Sequence, residues 1–271
     1  MPAPASRAIS RGRAGRTAPP RRDPLRRVIL VGATDGLGRA LAELYASRGY
    51  WVTLLGRSPE KLDALVARLR SAHPDATVAG VACDLADARR IEPAFREAIG
   101  ISGHCDLFVY TAGVMPPGDG ETSVAADDRV AFEVNAVAAA EMLGLAANYF
   151  RAARKGTIAA VSSIAGDRGR KANPAYCASK AALSTYLEAL RHRLHPYGVK
   201  VVTVKPGFLG TRMTAGKEGL FWVCPVEEAA RIVERKVDAG REVFYVYARW
   251  ALVALVLRHL PRPLFKRFGP P

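Results

Sequence analysis

Val28-Ile-Leu-Val-Gly32-Ala-Thr-Asp-Gly36-Leu-Gly38 is the stretch of this 271-residue chain whose reading decides the fold. A short apolar run ends in three glycines, and residues 39–48 then follow an amphipathic helical pattern. The glycines therefore sit at a strand-to-helix turn. Glycine tolerates dihedrals that other residues avoid and lets the backbone approach a bound group closely. The start of a helix adds free N–H groups and a positive dipole end. Both properties suit a pyrophosphate. The spacing G-x-x-x-G-x-G differs from the common G-x-G-x-x-G fingerprint, but its place after a first strand predicts nucleotide binding. Thr34, Asp35 and Leu37 share the turn with Gly32, Gly36 and Gly38 and are expected to line the same ligand.

Outward from this turn, strand and helix patterns alternate. A second strand over 51–55 ends at Gly56-Arg57-Ser58. A site for NAD usually places an acid near here for the ribose 2′-hydroxyl, whereas an arginine accepts a 2′-phosphate. Arg57 therefore favours NADP over NAD; the alternative is a solvated turn residue. A helix over Pro59–Ala72 leads to a strand over Thr77–Ala82 and then to Asp84-Leu85. Asp84 is suited to an adenine edge or to capping the next helix, over 91–99. A strand at 106–110 closes in Thr111-Ala112-Gly113, whose small residues allow close passage of a ribose. Residues 115–120 read as a loop. An Ala-rich helix over 127–154 contains Asn135, a poor helix-interior residue that predicts a kink, a bound water or a polar contact. A strand over Thr157–Val161 delivers Ser162 and Ser163 at its carboxyl end. A helix over 174–195 follows, then a strand at 199–204 ending in Pro206-Gly207, a loop with Thr211, a helix at 226–239 and a strand at 242–247. This predicts a single α/β domain: a doubly wound, parallel, seven-stranded sheet of Rossmann type.

On the 174–195 helix the sequence reads Tyr176-Cys-Ala-Ser-Lys180, with Ser163 thirteen residues before the tyrosine. Residues four apart on a helix project from nearly the same face. The ammonium would then stand beside the phenol and favour its ionised form, which suits proton exchange with a carbonyl or alcohol oxygen near neutral pH. A half-buried tyrosine with a surface lysine is the plainer alternative for this pair.

In this order and spacing, the glycine turn, Asp84, Thr111-Ala112-Gly113, Asn135, Ser163, Tyr176, Lys180 and Pro206-Gly-x-x-x-Thr211-x-Met213 resemble the short-chain dehydrogenases/reductases over residues 28–247. The resemblance implies hydride transfer between a nicotinamide and a carbonyl/alcohol pair. Tyr176 would be the acid in reduction and the base in oxidation. Lys180 would lower its pKa and hold the nicotinamide ribose. Ser163 would hydrogen-bond the substrate oxygen, Asn135 would hold a water linking Lys180 to solvent, and Thr211 would contact the cofactor. A non-catalytic dinucleotide sensor of the same fold is the alternative. The chain departs from the family pattern twice: Thr111 stands where Asn is frequent, and Asp35 where some NADP-binding members have a basic residue.

The two ends differ from the body. Of a formal net charge of +15, residues 1–27 carry +7, with eight arginines against Asp23, and residues 249–271 carry +5 with no acid, leaving +3. Residues 1–27 have no apolar period and read as a disordered basic tail, solvated or touching an anionic surface. Residues 28–248 form the dinucleotide-binding catalytic domain. In 249–271, eight apolar residues between Arg249 and Arg258 are too few to span a bilayer, which takes about 20. Aromatics interleaved with cations suit a segment lying on a membrane surface; packing on the body or between subunits is the alternative. Together with Gly-Asp-Arg-Gly-Arg-Lys-Ala-Asn-Pro at 166–174, this end resembles the decaprenylphosphoryl-2-keto-ribose reductases, which act on a keto sugar borne on a polyprenyl phosphate, and also reductases of other ketolipids. A lipid-linked or hydrophobic ketone is the expected substrate, with a homo-oligomer, a cytoplasmic location peripheral to a membrane, and no specific nucleic acid as partner. The four cysteines lack metal-ligand spacing, so no metal is expected and the thiols are expected to be reduced.

Overall fold

In the computed structural model, which describes residues 26–116, 124–216 and 218–268, the apolar run of the opening stretch is the central strand. It is β1 (Arg27–Val31), flanked by β2 (Trp51–Gly56) and β4 (Leu107–Tyr110). With β3 (Thr77–Ala82), β5 (Thr157–Val161), β6 (Lys200–Lys205) and β7 (Val243–Tyr245), the described residues form one parallel sheet in the order β3-β2-β1-β4-β5-β6-β7. A parallel strand covered on both faces must be apolar on both. Val28 and Leu30 accordingly pack under α1 (Gly36–Ser47), α2 (Pro59–Ala72) and α7 (Val226–Asp238), while Ile29 and Val31 face α3 (Ala88–Ser102), α5 (Ala138–Ala153) and α6 (Pro174–Leu194). The strand order reverses between β1 and β4, so a crevice opens at their carboxyl ends, the usual ligand position in such sheets.

Several boundaries differ from the sequence reading. Helix α1 starts at Gly36 rather than near residue 39, because Asp35 caps it by accepting from Gly36 N at 2.8 Å. Asp84 does not cap α3. Asp87 does so, accepting from Arg89 N, while Asp84 accepts from Ala86 N at 3.0 Å in the preceding turn. The Ala-rich helix divides at a π-helical turn, Glu133–Val137, between α4 (Ala125–Phe132) and α5; Asn135 lies inside the turn, where the kink was expected. The rod Ala125–Ala153 has the length and apolarity to cross a bilayer, but Met142, Leu143, Ala146 and Phe150 are buried on the sheet. The basic tail falls outside the described residues up to position 25, as do residues 117–120 of the expected loop. Arg26 and Arg27 belong to the body: Arg26 pairs with Asp238, and Arg27 N donates to Asp106 at 2.9 Å. All four cysteines are buried free thiols.

The C-terminal segment forms α8 (Arg249–His259) and α9 (Arg262–Phe268), and α8 is docked on the body by one face. Trp250 is buried against Gly207, where an added Cβ would stand 2.1 Å from the indole Cε2. The second anchor is Asp167, whose side chain is 1% exposed. It accepts from Lys205 Nζ at 2.5 Å, from the Tyr245 hydroxyl at 2.7 Å and from Arg258 of α8. Burial opposes the charge on this carboxyl, but the three donors outweigh it and hold the pKa below its ordinary value. Removing one partner of a buried pair leaves the other charge uncompensated. Asp167→Ala is therefore expected to lower the unfolding free energy by about 3–5 kcal/mol. Urea denaturation measures it, and a loss under about 1 kcal/mol would show that solvent, not Asp167, compensates Lys205.

Candidate active site

Three backbone segments meet at the carboxyl end of β1, and they can do so only because side chains are missing there. A Cβ on Gly38 would lie 2.1 Å from the Gly32 carbonyl oxygen and 2.6 Å from Thr111 Oγ1. At Gly32, φ is +82° and a Cβ would meet Ala112 N at 2.6 Å. Helix α1 thus begins in contact with the ends of β1 and β4, and its first residues, Gly36, Leu37 and Gly38, line the crevice. Thr111 donates its hydroxyl to the carbonyls of Val31 (2.8 Å) and Gly32 (3.1 Å). The Thr111 hydroxyl thus staples the turn.

The crevice is a cavity of about 680 Å³, within the usual range for ligand sites. Every cofactor and proton-transfer candidate named from the sequence lines it, except Asn135. The dinucleotide fits this arrangement: a glycine-only turn, a helix N-terminus and a slot between Ala112-Gly113 and Pro206-Gly207 are the features that such a ligand needs. At one end Arg57 is exposed beyond β2. Over the glycine turn, Arg212 spans the crevice to pair with Asp35, its Nε donating at 2.6 Å. Burial raises the Asp35 carboxyl, yet Arg212 and Gly36 N–H outweigh it and bring its pKa below the ordinary value. The acid that departs from the family pattern is thus neutralised by an arginine 177 residues away, a partner that no local spacing reveals.

At the other end, β5 ends in Ser162 and Ser163, and α6 presents Tyr176 and Lys180. Helix α6 is held in register by Ser162, which donates to the Lys180 carbonyl at 2.9 Å and contacts Ser184 Oγ at 2.8 Å. Ser163 caps a short turn by accepting from Ala165 N at 3.0 Å, and its hydroxyl meets the Tyr176 phenol. Lys180 is buried, and its Nζ donates to the Val161 carbonyl at 3.0 Å. Asn135 does not reach the cavity. Its amide grips Val114 twice, accepting from N and donating to O, both at 2.8 Å, and it donates to Ser179 Oγ at 3.1 Å. The side chain thus holds the strand-end loop and α6 together.

The electrostatics correct one expectation. Lys180 was expected to lower the Tyr176 pKa, but burial raises it above the ordinary value, against the Ser163 hydrogen bond and the charge of Arg170. The Lys180 Nζ stands 5.9 Å from the phenol ring centroid and is directed at Val161. Burial takes its own pKa down to about 8. Lys180→Met tests this. Below pH 8 the wild type carries the full penalty of a buried ammonium, and it sheds the penalty as pH rises from about 8 toward the ordinary 10.5. The wild-type unfolding free energy, relative to the variant, should rise over that window by up to about 3 kcal/mol. Urea titrations at pH 7 and pH 10 read the difference, and a flat result would contradict it.

Known proteins agree with this geometry. A family profile described as short chain dehydrogenase matches residues 26–219. An uncharacterized oxidoreductase of Myxococcus xanthus is 31% identical over 242 residues, covering 89% of this chain and 94% of that protein. Dehydrogenase/reductase SDR family member 7B of Xenopus laevis is 27% identical over 254 residues, 88% of this chain and 79% of that one. Among solved structures, a short-chain dehydrogenase from Sphingobium yanoikuyae in complex with NADPH superposes with a TM-score of 0.76 at 25% identity, covering 84% of this chain and 92% of that chain. A short chain dehydrogenase/reductase from Burkholderia phymatum in complex with NAD shares the fold, with a TM-score of 0.78 at 22% identity over 91% and 96% of the two chains. Because the matched span runs from β1 past β6, through the strand ends that border the cavity, this chain belongs to the short-chain dehydrogenase/reductase family of NAD(P)-dependent oxidoreductases.

Proposed function

We propose that this protein is an NADPH-dependent reductase of a ketone borne on a hydrophobic or lipid-linked molecule. One observation carries the reading: the Ser163 and Tyr176 hydroxyls meet at one end of the cavity, with the buried Lys180 behind them. When bound, the nicotinamide supplies the hydride. The chain's part is to polarise the carbonyl oxygen and protonate it as negative charge develops, and two hydroxyl donors do both. A phenol with a raised pKa is protonated at neutral pH, the state an acid needs before reduction. As the proton leaves, the Ser163 hydrogen bond and the charge of Arg170 favour the phenolate.

NADPH is favoured by Arg57 at the cavity edge, with Lys61 also lining it. The nearest acid, Glu60, accepts from Ser58 at 2.7 Å instead. The solved relatives divide, one in complex with NADPH and one with NAD, so the preference rests on Arg57. With a panel of cyclohexanone, acetophenone and 2-tetradecanone, the wild type should oxidise NADPH faster than NADH. Tyr176→Phe should lose at least about 1,000-fold in kcat while binding NADPH as before, and Arg57→Ala should erase most of the preference for NADPH. Full turnover by Tyr176→Phe would exclude the proton-transfer role. NADPH binding without reduction of any ketone would favour a sensor.

The outer face of α8 supports a location peripheral to a membrane. Leu252, Leu255 and Val256 are more than half exposed. Phe221 and Trp222, also exposed, pack against Trp250 at 5.2 and 5.5 Å and follow Leu220 of the cavity lining, so exposed apolar residues also stand near the start of α8. Residues 249–271 contain five cations and no acid, which complements an anionic bilayer. The full chain should co-sediment with phosphatidylglycerol-rich vesicles, and Leu252→Asp with Leu255→Asp should reduce binding at least about tenfold. Absence of vesicle binding together with a dimer dissociated by that variant would mean that a second copy of the chain covers this face.

A further inference from the structure

The loop between Ser163 and Tyr176 carries three charged residues before Lys171, and the fold uses two of them. Asp167 is the buried acceptor for Lys205, Tyr245 and Arg258. Arg168 donates to the carbonyls of Leu257 and Leu260 (2.7 Å for the latter) and lies over the Phe265 ring at 3.9 Å, so it closes the end of α8. Arg170 has no such task. It is half-buried and lines the cavity, and its Nε is shut off from solvent with no hydrogen-bond partner. Its positive charge is felt at the Tyr176 phenol.

A guanidinium cannot shed its proton, so a buried N–H on it is satisfied only by an acceptor. Leaving such a donor unpaired is unfavourable. The neighbouring anchors, Asp167 and Arg168, fix the loop that carries Arg170 beside the cavity. The phosphates of a dinucleotide are served elsewhere, by the glycine turn at the start of α1 and by Arg57. Arg170 stands instead at the Ser163–Tyr176 end, where the ketone would bind.

We infer that Arg170 is a substrate-recognition residue, and that the ketone is borne on a molecule carrying an anionic oxygen group, a phosphate ester or a carboxylate, within reach of its carbonyl. This rests on the reductase reading for the identity of the ligand as substrate, but not for the anion site itself. A guanidinium paired with such a group forms charge-assisted, two-pronged hydrogen bonds. The chain would thus grip a substrate by an anion and react at a neighbouring carbonyl.

Matched probes test this with the full chain. One arm compares 4-acetylbenzoate with acetophenone, for a carboxylate; another compares dihydroxyacetone phosphate with dihydroxyacetone, for a phosphate. Wild type with NADPH should favour the anionic member of at least one pair by tenfold or more in kcat/KM. Arg170→Gln should reduce that ratio at least tenfold, and Arg170→Lys should fall between, keeping the charge but not the planar fork. A ratio unchanged in Arg170→Gln, whether both probes slow equally or neither does, overturns the inference and leaves the reductase reading intact. A parallel arm needs no turnover: calorimetry of the anionic probes with NADP-loaded protein should show binding that weakens at least tenfold in Arg170→Gln. If that binding is seen while no ketone is reduced, the anion site stands and the reductase reading falls. Equal binding by both proteins overturns the site.

Discussion

The molecule depends on a steric constraint at one point: the backbone of α1 must touch the backbone at the ends of β1 and β4. Gly38 rests on the Gly32 carbonyl and Thr111, and Gly32 on Ala112, with no room for a Cβ at either glycine. This contact sets where α1 begins, and so where its free N–H groups point. It also sets the distance between the first half of the sheet and the strand-end loop at 111–114. Asn135 and Lys180 then close on that loop from the other side, with Gly113 between them. The cofactor end and the proton-transfer end are thereby built on a common backbone contact.

Around the proton-transfer end, buried polar groups are spent on alignment rather than left free. Ser162 and Ser179 fix α6 against β5 and the π-helical turn, and Asn135 joins that turn to Val114. Such a network is stabilising only when each member is satisfied. Its effect is to hold Tyr176 facing Ser163 while burial keeps the phenol protonated. Among these described groups, the Arg170 Nε is buried at the cavity without a hydrogen-bond partner.

The C-terminal helix has two faces with different roles. Its inner face carries Trp250, Ala254 and the Arg258 bond to Asp167, so it supports the segments that carry Gly207 and Ser163. Its outer face is apolar and exposed. The sequence reading set membrane contact and packing on the body as alternatives. The docked face decides only that packing on the body occurs; eleven residues of helix have room for both.

The sequence by itself determined the fold class and the order of strands and helices along the chain, because those are local properties, while the candidate reactive cluster came from the resemblance to a family. Alternation of apolar runs with amphipathic helices reports a covered parallel sheet, the glycine turn reports close backbone approach, and Tyr176 and Lys180 lie one helical turn apart. Even the kink at Asn135 was legible, since an amide competes with helical hydrogen bonds wherever it stands. Only the tertiary structure decided which polar groups have partners. Asp35 with Arg212, Asp167 with Lys205 and Arg258, and Gly207 with Trp250 are pairings across 177, 38, 91 and 43 residues of chain. Burial and charge neutralisation act through space, so spacing carries no trace of them. For the same reason the Tyr176 pKa rises where the helix pattern had Lys180 lowering it, and Arg170, ordinary in the sequence, emerges as the unpartnered cation beside the reacting end.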